Sequence, residues 1–240
     1  MKVYLTPNHE IEVNILSTQV KGGWWSKFKF QRDDPPLTPN GQEDLMYIHT
    51  LLKDITNPIL FDVGANVGMF SLLTTLHDTL VVHAFEPSPY IMPAFRENCG
   101  LNQVLDRVLI NEVALHNEDA TVTLKVPMVP TLAGLATMGE PHRYAHWINT
   151  PVSALRLDTY VESKDIKQID VIKIDTEGAE LNILQGGENT IKRLRPDIFC
   201  ECYSKNTHQF GYEPQTIIDL LVSWGYSYQW TSRENVHFYM

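Results

Sequence analysis

The sequence predicts an α/β fold: a doubly wound parallel sheet covered by helices on both faces, with a last strand running antiparallel and a small β hairpin at the N-terminus. Three observations lead to it. Apolar segments of strand and helix period take turns between residues 58 and 224, which is the pattern of a parallel sheet buried on both faces. An acid and two glycines, in "ILFDVGANVGMFSLL", separate the first of these strands from the segment that follows. The tail, "YSYQWTSRENVHFYM", is β in character on both sides of a polar turn at Ser232 to Asn235.

The elements follow in order. "KVYLTPNHEIEVNIL" alternates Val3 and Leu5, then Ile11, Val13 and Ile15, with Pro7 and Asn8 between them, so it predicts a hairpin. "RDDPPLTPNGQ" is a Pro-rich connection, and the chain divides there into a hairpin with its linker, 1–39, and a main domain, 40–240. Leu45, Ile48, Leu51 and Leu52 then recur at helical spacing. Strands are expected near 58–63, 80–86, 107–113, 169–175 and 196–203, and helices near 67–77, 88–101, 177–193 and 214–224.

Composition restricts the partners. At 240 residues and 43% apolar, the chain is long enough for one sizeable core. The net charge of -10 disfavours nucleic acid, whose phosphates need clustered Lys and Arg. Three cysteines, Cys99, Cys200 and Cys202, make no disulfide framework, so a reduced cytoplasm is expected. The first residues lack a basic segment leading into an apolar run, and no apolar stretch approaches a membrane span, so a soluble, unprocessed chain is expected. The oligomeric state is left open.

The glycine turn has a physical meaning in such a sheet. Ligands bind beyond the carboxyl ends of the strands at the switch point, so the turn from Asp62 to Gly68 lies beside the ligand. Gly64 and Gly68 let the backbone approach it, and Asp62 puts a carboxylate at the strand end, where it attracts a cation. A tight turn with a helix-capping Asp explains the same residues about as well. The second strand changes the balance: "LVVHAFEPSP" ends in Glu86, about twenty residues on, where a carboxylate takes both hydroxyls of a ribose, and Pro87 stops the strand. The third glycine of a dinucleotide fingerprint is missing. An acid before the turn would repel a pyrophosphate and suits a ligand with an ammonium or sulfonium, such as S-adenosylmethionine.

In "FDVGANVGMFSLL", "HAFEPSPY", "NEVALHNED", "LRLDTYVE", "IDVIKIDTEGAELNILQGGENTI" and "RPDIFCE", taken in that order, the sequence resembles the FkbM-type methyltransferases of the class I S-adenosylmethionine-dependent fold. The resemblance covers most of the chain after about residue 40. It implies a Rossmann-like sheet of seven strands with the last antiparallel, and methyl transfer, usually to oxygen on a sugar or natural product. It implies that Asp62 and Gly64 lie against the methionine end of the cofactor, with Asn66 and Gly68 completing the turn. Glu86, followed by Pro87, would hold the ribose, and Val113 and Ala114 would lie near the adenine.

The acceptor side is read from the later strands. Lys173 and Asp175 share one strand face, and a lysine in a central strand is expected to form a structural ion pair. Asp175, at the strand end beside the expected sulfonium, is expected to serve both cofactor and catalysis. With Glu177 and Glu180 it could orient a hydroxyl, accept its proton or hold a hard divalent cation such as Mg²⁺. Helix-start electrostatics explains Glu180 better and competes at Glu177. Glu201 nears its own strand end, and His208 lies in the loop after it; both are candidate catalytic groups. Cys200 and Cys202 have no second pair to complete a metal site and are expected to be small buried residues. "TLAGLATMGEPHRYAHWIN" is either a lid, whose aromatic and polar groups suit a sugar, or an ordinary loop. Trp24 and Trp25 could join the same mouth or a dimer contact.

The expected function is O-methylation of a hydroxyl on a small molecule or glycan. An RNA or protein methyltransferase is the first rival, and a non-catalytic binding module that keeps the fold is the second.

Overall fold

The computed structural model describes residues 2–6, 9–12, 39–128, 134–141 and 146–240. The chain opens with an antiparallel hairpin, β1 (Lys2–Thr6) and β2 (His9–Glu12), in which Val3 faces Ile11 in register. Val13, Ile15, Trp24, Trp25 and residues 142–145, which carry other expectations, lie outside the described residues. Helix α1 (Pro39–Leu52) buries Leu45, Ile48 and Leu52 along one face, as their spacing requires. There follow β3 (Ile59–Val63), β4 (Val81–Phe85), α2 (Met92–Leu101), β5 (Val108–Asn111), β6 (Ala114–His116), β7 (Ala120–Pro127), β8 (Trp147–Arg156) and α3 (Leu157–Ser163). The last part comprises β9 (Val171–Ile174), α4 (Glu180–Gly186), α5 (Glu188–Leu194), β10 (Asp197–Glu201), α6 (Ser204–Thr207), α7 (Pro214–Ser223), β11 (Ser227–Trp230) and β12 (Asn235–Tyr239).

The main sheet has seven strands in the order β11-β12-β10-β9-β3-β4-β5. Neighbours from β10 to β5 are parallel, while β12 runs antiparallel to both β10 and β11. Alternation along each strand sorts the core onto two faces. Leu60, Val82 and Val171 join α1 and α2 on one face; Phe61, Phe85, Ile172 and Ile198 join residues of α3, α4, α5 and α7 on the other. From β3 the chain first builds outward through β4 and β5, then returns to lay β9 and β10 on the other side. The switch point therefore lies between β3 and β9.

Three local differences from the sequence reading have physical reasons. The helix expected over 67–77 is a 3-10 segment, Ser71–Thr75. The hydroxyls of Thr74 and Thr75 donate to the carbonyls three residues back, at 2.9 and 2.7 Å, which favours the tighter winding. The helix expected over 177–193 starts at Glu180 and divides at Gly187. A Cβ on Gly186 would stand 2.0 Å from the His116 carbonyl oxygen and one on Gly187 2.5 Å from Leu157, so these glycines admit close neighbours. A second sheet, in the order β6-β8-β7, was not expected at all.

Candidate active site

Four parallel strands end at one cavity of about 350 Å³, lined in part by Val63, Glu86, Asp175 and Glu201. Its floor is the turn after β3, where Gly64 (φ 73°) and Asn66 (φ 52°) take left-handed backbone. The amides of Gly64 and Ala65 both donate to the Phe85 carbonyl at 3.0 Å, which draws the turn onto the end of β4. A Cβ on Gly64 would lie 1.9 Å from the Asp175 carbonyl oxygen, so this glycine also lets the turn close on β9. Gly68 meets a different neighbour. A Cβ there would lie 2.3 Å from the Phe95 ring, so Gly68 seats the turn on α2 and is not among the cavity-lining residues.

Asp62 also departs from expectation. Its carboxylate is fully buried beneath the turn and does not reach the cavity wall. Strand alternation turns residue 62 to the same face as Leu60, where Lys173 stands opposite in register. The Ser71 hydroxyl donates to Oδ2 at 2.7 Å, and the Lys173 ammonium lies 3.4 Å from Oδ1. The cation that Asp62 attracts is therefore the protein's own. Burial pulls the Lys173 pKa down, but the charges of Asp62, Asp175 and Glu86 outweigh it and hold the ammonium above its usual value. The ion pair expected for Lys173 is present.

At one end of the cavity stands Glu86, with Pro87, Ile91, Val113, Ala114 and Leu115. The Asn66 amide donates to Glu86 Oε2 at 3.0 Å and the Ser88 amide to Oε1 at 2.8 Å, so both oxygens are aimed and each keeps a lone pair. Burial raises the Glu86 pKa to about 7 against those two bonds and the Lys173 charge. At the other end, Asp175 is 46% exposed at its side chain and lies 4.0 Å from the Lys173 ammonium. Glu201 accepts from the Asn206 side-chain amide at 2.9 Å. Burial, with the charges of Asp175, Glu177 and Glu180, holds the Glu201 carboxyl well above the usual range.

The turn after β9 is rigid. Glu177 (φ 57°) and Gly178 (φ 114°) both take positive φ. Glu180 ties them down: its Oε1 accepts from the Thr176 amide, the Thr176 hydroxyl and the Gly178 amide at 2.9, 2.9 and 3.1 Å. Glu180 is fully buried, in keeping with its structural reading. Glu177 lines the cavity.

His208 is not brought to the cavity. It sits on the 3-10 turn His208–Phe210, its side chain 50% exposed, with Nε2 2.9 Å from Glu213. The short helix α6 carries it past the mouth, and Asn206, two residues earlier, takes the place facing Glu201. Cys200 and Cys202 are buried free thiols. Among the described residues no group of three or more His, Cys, Asp or Glu side chains is disposed to hold a metal ion. His208, the only nitrogen ligand among the candidates, stands outside the cavity, which leaves the carboxylates of Asp175, Glu177 and Glu201 on its lining. No described helix is long and apolar enough to cross a membrane.

The second sheet, which the sequence reading missed, and part of the loop read there as either a lid or an ordinary loop supply the roof. Leu124 of β7 and the segment carrying Ala136 and Met138 line the cavity. Lys125 and Thr137 exchange backbone hydrogen bonds at 2.8 and 3.1 Å, and the Thr137 hydroxyl donates to the Glu177 carbonyl at 3.0 Å, binding the roof to the turn after β9. The signal was the alternation of Val122, Leu124 and Val126. Lys and Thr between them made it weak.

The donor set fits S-adenosylmethionine: an aimed carboxylate for a diol, an apolar slot around Val113 and Ala114 for a base, and a glycine-floored passage to a second carboxylate end. A solved structure of similar fold is methyltransferase FkbM from Methylobacillus flagellatus KT, with TM-score 0.53 and 15% identity over 82% of this chain and 48% of that one. Sheet order and site together define a class I S-adenosylmethionine-dependent methyltransferase. The chain belongs to the FkbM methyltransferase family, whose model, the methyltransferase FkbM domain, matches residues 62–228. Similar curated proteins include the 31-O-demethyl-FK506 methyltransferase FkbM of Streptomyces tacrolimicus, 32% identical over 55% of this chain and 60% of that protein. The 2-O-methyltransferase NoeI of Sinorhizobium fredii is 26% identical over 72% of this chain and 74% of its own length.

Proposed function

We propose that this protein methylates a hydroxyl oxygen on a sugar, glycan or natural product, within a catalytic unit spanning 40–240 to which the hairpin and linker, 1–39, are an addition. The observation that carries this reading is the placement of Asp175 and Glu201, on adjacent parallel strand ends, at the opposite end of one cavity from Glu86. The printed names of the 31-O-demethyl-FK506 and 2-O-methyltransferase relatives support oxygen as the acceptor atom. The charge of -10 supports a small or glycan acceptor over RNA. Three free, buried cysteines fit a reducing, cytoplasmic setting.

S-adenosylmethionine, when bound, supplies an electrophilic methyl on a sulfonium. Glu86 receives the two ribose hydroxyls, and Val113 and Ala114 pack against the adenine. The turn at Gly64 and Asn66 supports the methionine end. Asp175, the more open carboxylate, would orient the acceptor hydroxyl for in-line attack and take its proton, the new oxygen–carbon bond replacing the sulfur–carbon bond so that neutral S-adenosylhomocysteine is left. Glu201, held by Asn206, accepts a hydrogen bond from a second acceptor hydroxyl. Leu124, Ala136 and Met138 exclude water above the reacting atoms.

Replacement of Asp175 tests the assignment. Asp175→Asn keeps the shape and removes the charge, so affinity for S-adenosylhomocysteine is expected to survive while turnover falls by roughly a hundredfold or more. Parent-like turnover on the true acceptor would remove Asp175 from the chemistry.

A further inference from the structure

We propose that Lys173 is a positioning residue that locks the cofactor-binding turn to the end of β9, beyond neutralising Asp62; the proposal rests on the methyl-transfer reading of this cavity. A lysine needed only for charge balance would point its best hydrogen bond at the carboxylate. Here the shortest contact, 2.8 Å, goes to the Gly64 carbonyl, with another of 3.3 Å to Val63, while Asp62 Oδ1 lies at 3.4 Å. The ammonium also lies 5.0 Å from the centre of the Phe70 ring and 4.0 Å from Asp175 Oδ2. It thus donates to two backbone carbonyls, while Asp62 Oδ1 accepts no hydrogen bond and is held by charge alone.

The consequence follows from the planarity of the peptide unit. The Gly64 carbonyl shares a plane with the Ala65 amide, and the Val63 carbonyl shares one with the Gly64 amide. Both of those amides donate to the Phe85 carbonyl at 3.0 Å. Two consecutive planes are therefore pinned at one edge by Lys173 and at the other by β4. The Val63 carbonyl also accepts from the Asp175 amide at 3.2 Å, which ties the first plane to the acceptor side. The next amide along, that of Asn66, aims Glu86. Without the ammonium, the Gly64 carbonyl loses its donor and the Val63 carbonyl keeps only the Asp175 amide, so the turn that aims Glu86 and abuts Asp175 is held less firmly.

The experiment compares the parent with Asp62→Asn/Lys173→Met, which removes both buried charges together and leaves no uncompensated ion. Thermal melting reports the fold, calorimetry with S-adenosylhomocysteine reports cofactor affinity, and methyl transfer reports kcat and KM. The double variant is expected to melt near the parent but to bind about tenfold or more weakly, with a further fall in kcat. Parent-like affinity and kcat in a folded double variant would overturn the proposal alone. A parent that neither binds S-adenosylhomocysteine nor transfers methyl would overturn the functional reading and the proposal with it. Should the double variant unfold, Lys173→Arg decides: it keeps a cation opposite Asp62 but spreads its donors over a planar fork. The same weakening is expected from it, and parent-like binding and turnover would contradict the positioning role.

Discussion

Glu86 sets the pH response of the free site. Its folded pKa of about 7 stands above the ordinary 4.5, so the folded chain keeps a proton that the unfolded chain has released. Its contribution to stability is thus complete below about pH 4.5 and is lost as pH rises through about 7. Under the proposed function ligand binding runs the other way, because ribose hydroxyls would donate to the ionised carboxylate. Affinity for S-adenosylhomocysteine is expected to rise with pH up to about 7, by up to about tenfold per unit, and then level off. Calorimetry across that range checks it, and Glu86→Gln should flatten the slope. Glu86→Ala is expected to weaken binding by about 2 kcal/mol or more, and an unchanged Kd in a folded variant would place the ribose elsewhere. The acid at the end of the second strand was legible from its distance to the glycine turn. The fate of Asp62 was not, because which strand faces it is a long-range fact: Lys173 is its register partner from far along the chain.

Among the elements, the turn after β3 is the most demanding. Gly64→Val would drive a branched side chain into the Asp175 backbone at positive φ, so loss of cofactor binding, and of much of the fold, is expected. Gly68→Ala meets the Phe95 ring instead; it should lower the melting temperature while leaving the carboxylates in place, and a Phe95→Leu partner change should recover part of the loss. Equal loss of cofactor affinity from both glycine variants in folded protein would contradict this division of labour. Strand positions were legible because the buried parallel strands are short runs dominated by apolar residues, as in "VVHAF" and "VIKI", each interrupted by one polar residue. The 3-10 segment and the break at Gly187 were not, since they answer to hydroxyls and to close neighbours from other elements. The second sheet escaped notice for a similar reason, since β7 pairs with β8 across the stretch read as a candidate lid, and that pairing joins residues far apart in the chain.

At the scale of the molecule, one sheet gathers Glu86 and the pair Asp175 and Glu201 at its switch point, and residues of a second sheet close over the cavity between them. The seven-stranded α/β sheet with its last strand antiparallel was readable from alternation and from family resemblance; the order of its strands came from the structure. The position of His208 was not, because a loop residue's direction is set by the helix that carries it, here α6. The central claim is that this cavity passes a methyl group to oxygen. It is tested most directly by incubating the protein with isotopically labelled S-adenosylmethionine and separate panels of sugars and glycans, hydroxylated natural products, peptides and RNA, then locating the label by mass spectrometry and NMR. The predicted result is labelled methyl on a hydroxyl oxygen of a sugar, glycan or natural product, with turnover lost in Asp175→Asn. Label on the nitrogen of a peptide or on RNA, or transfer that survives in Asp175→Asn, would contradict it.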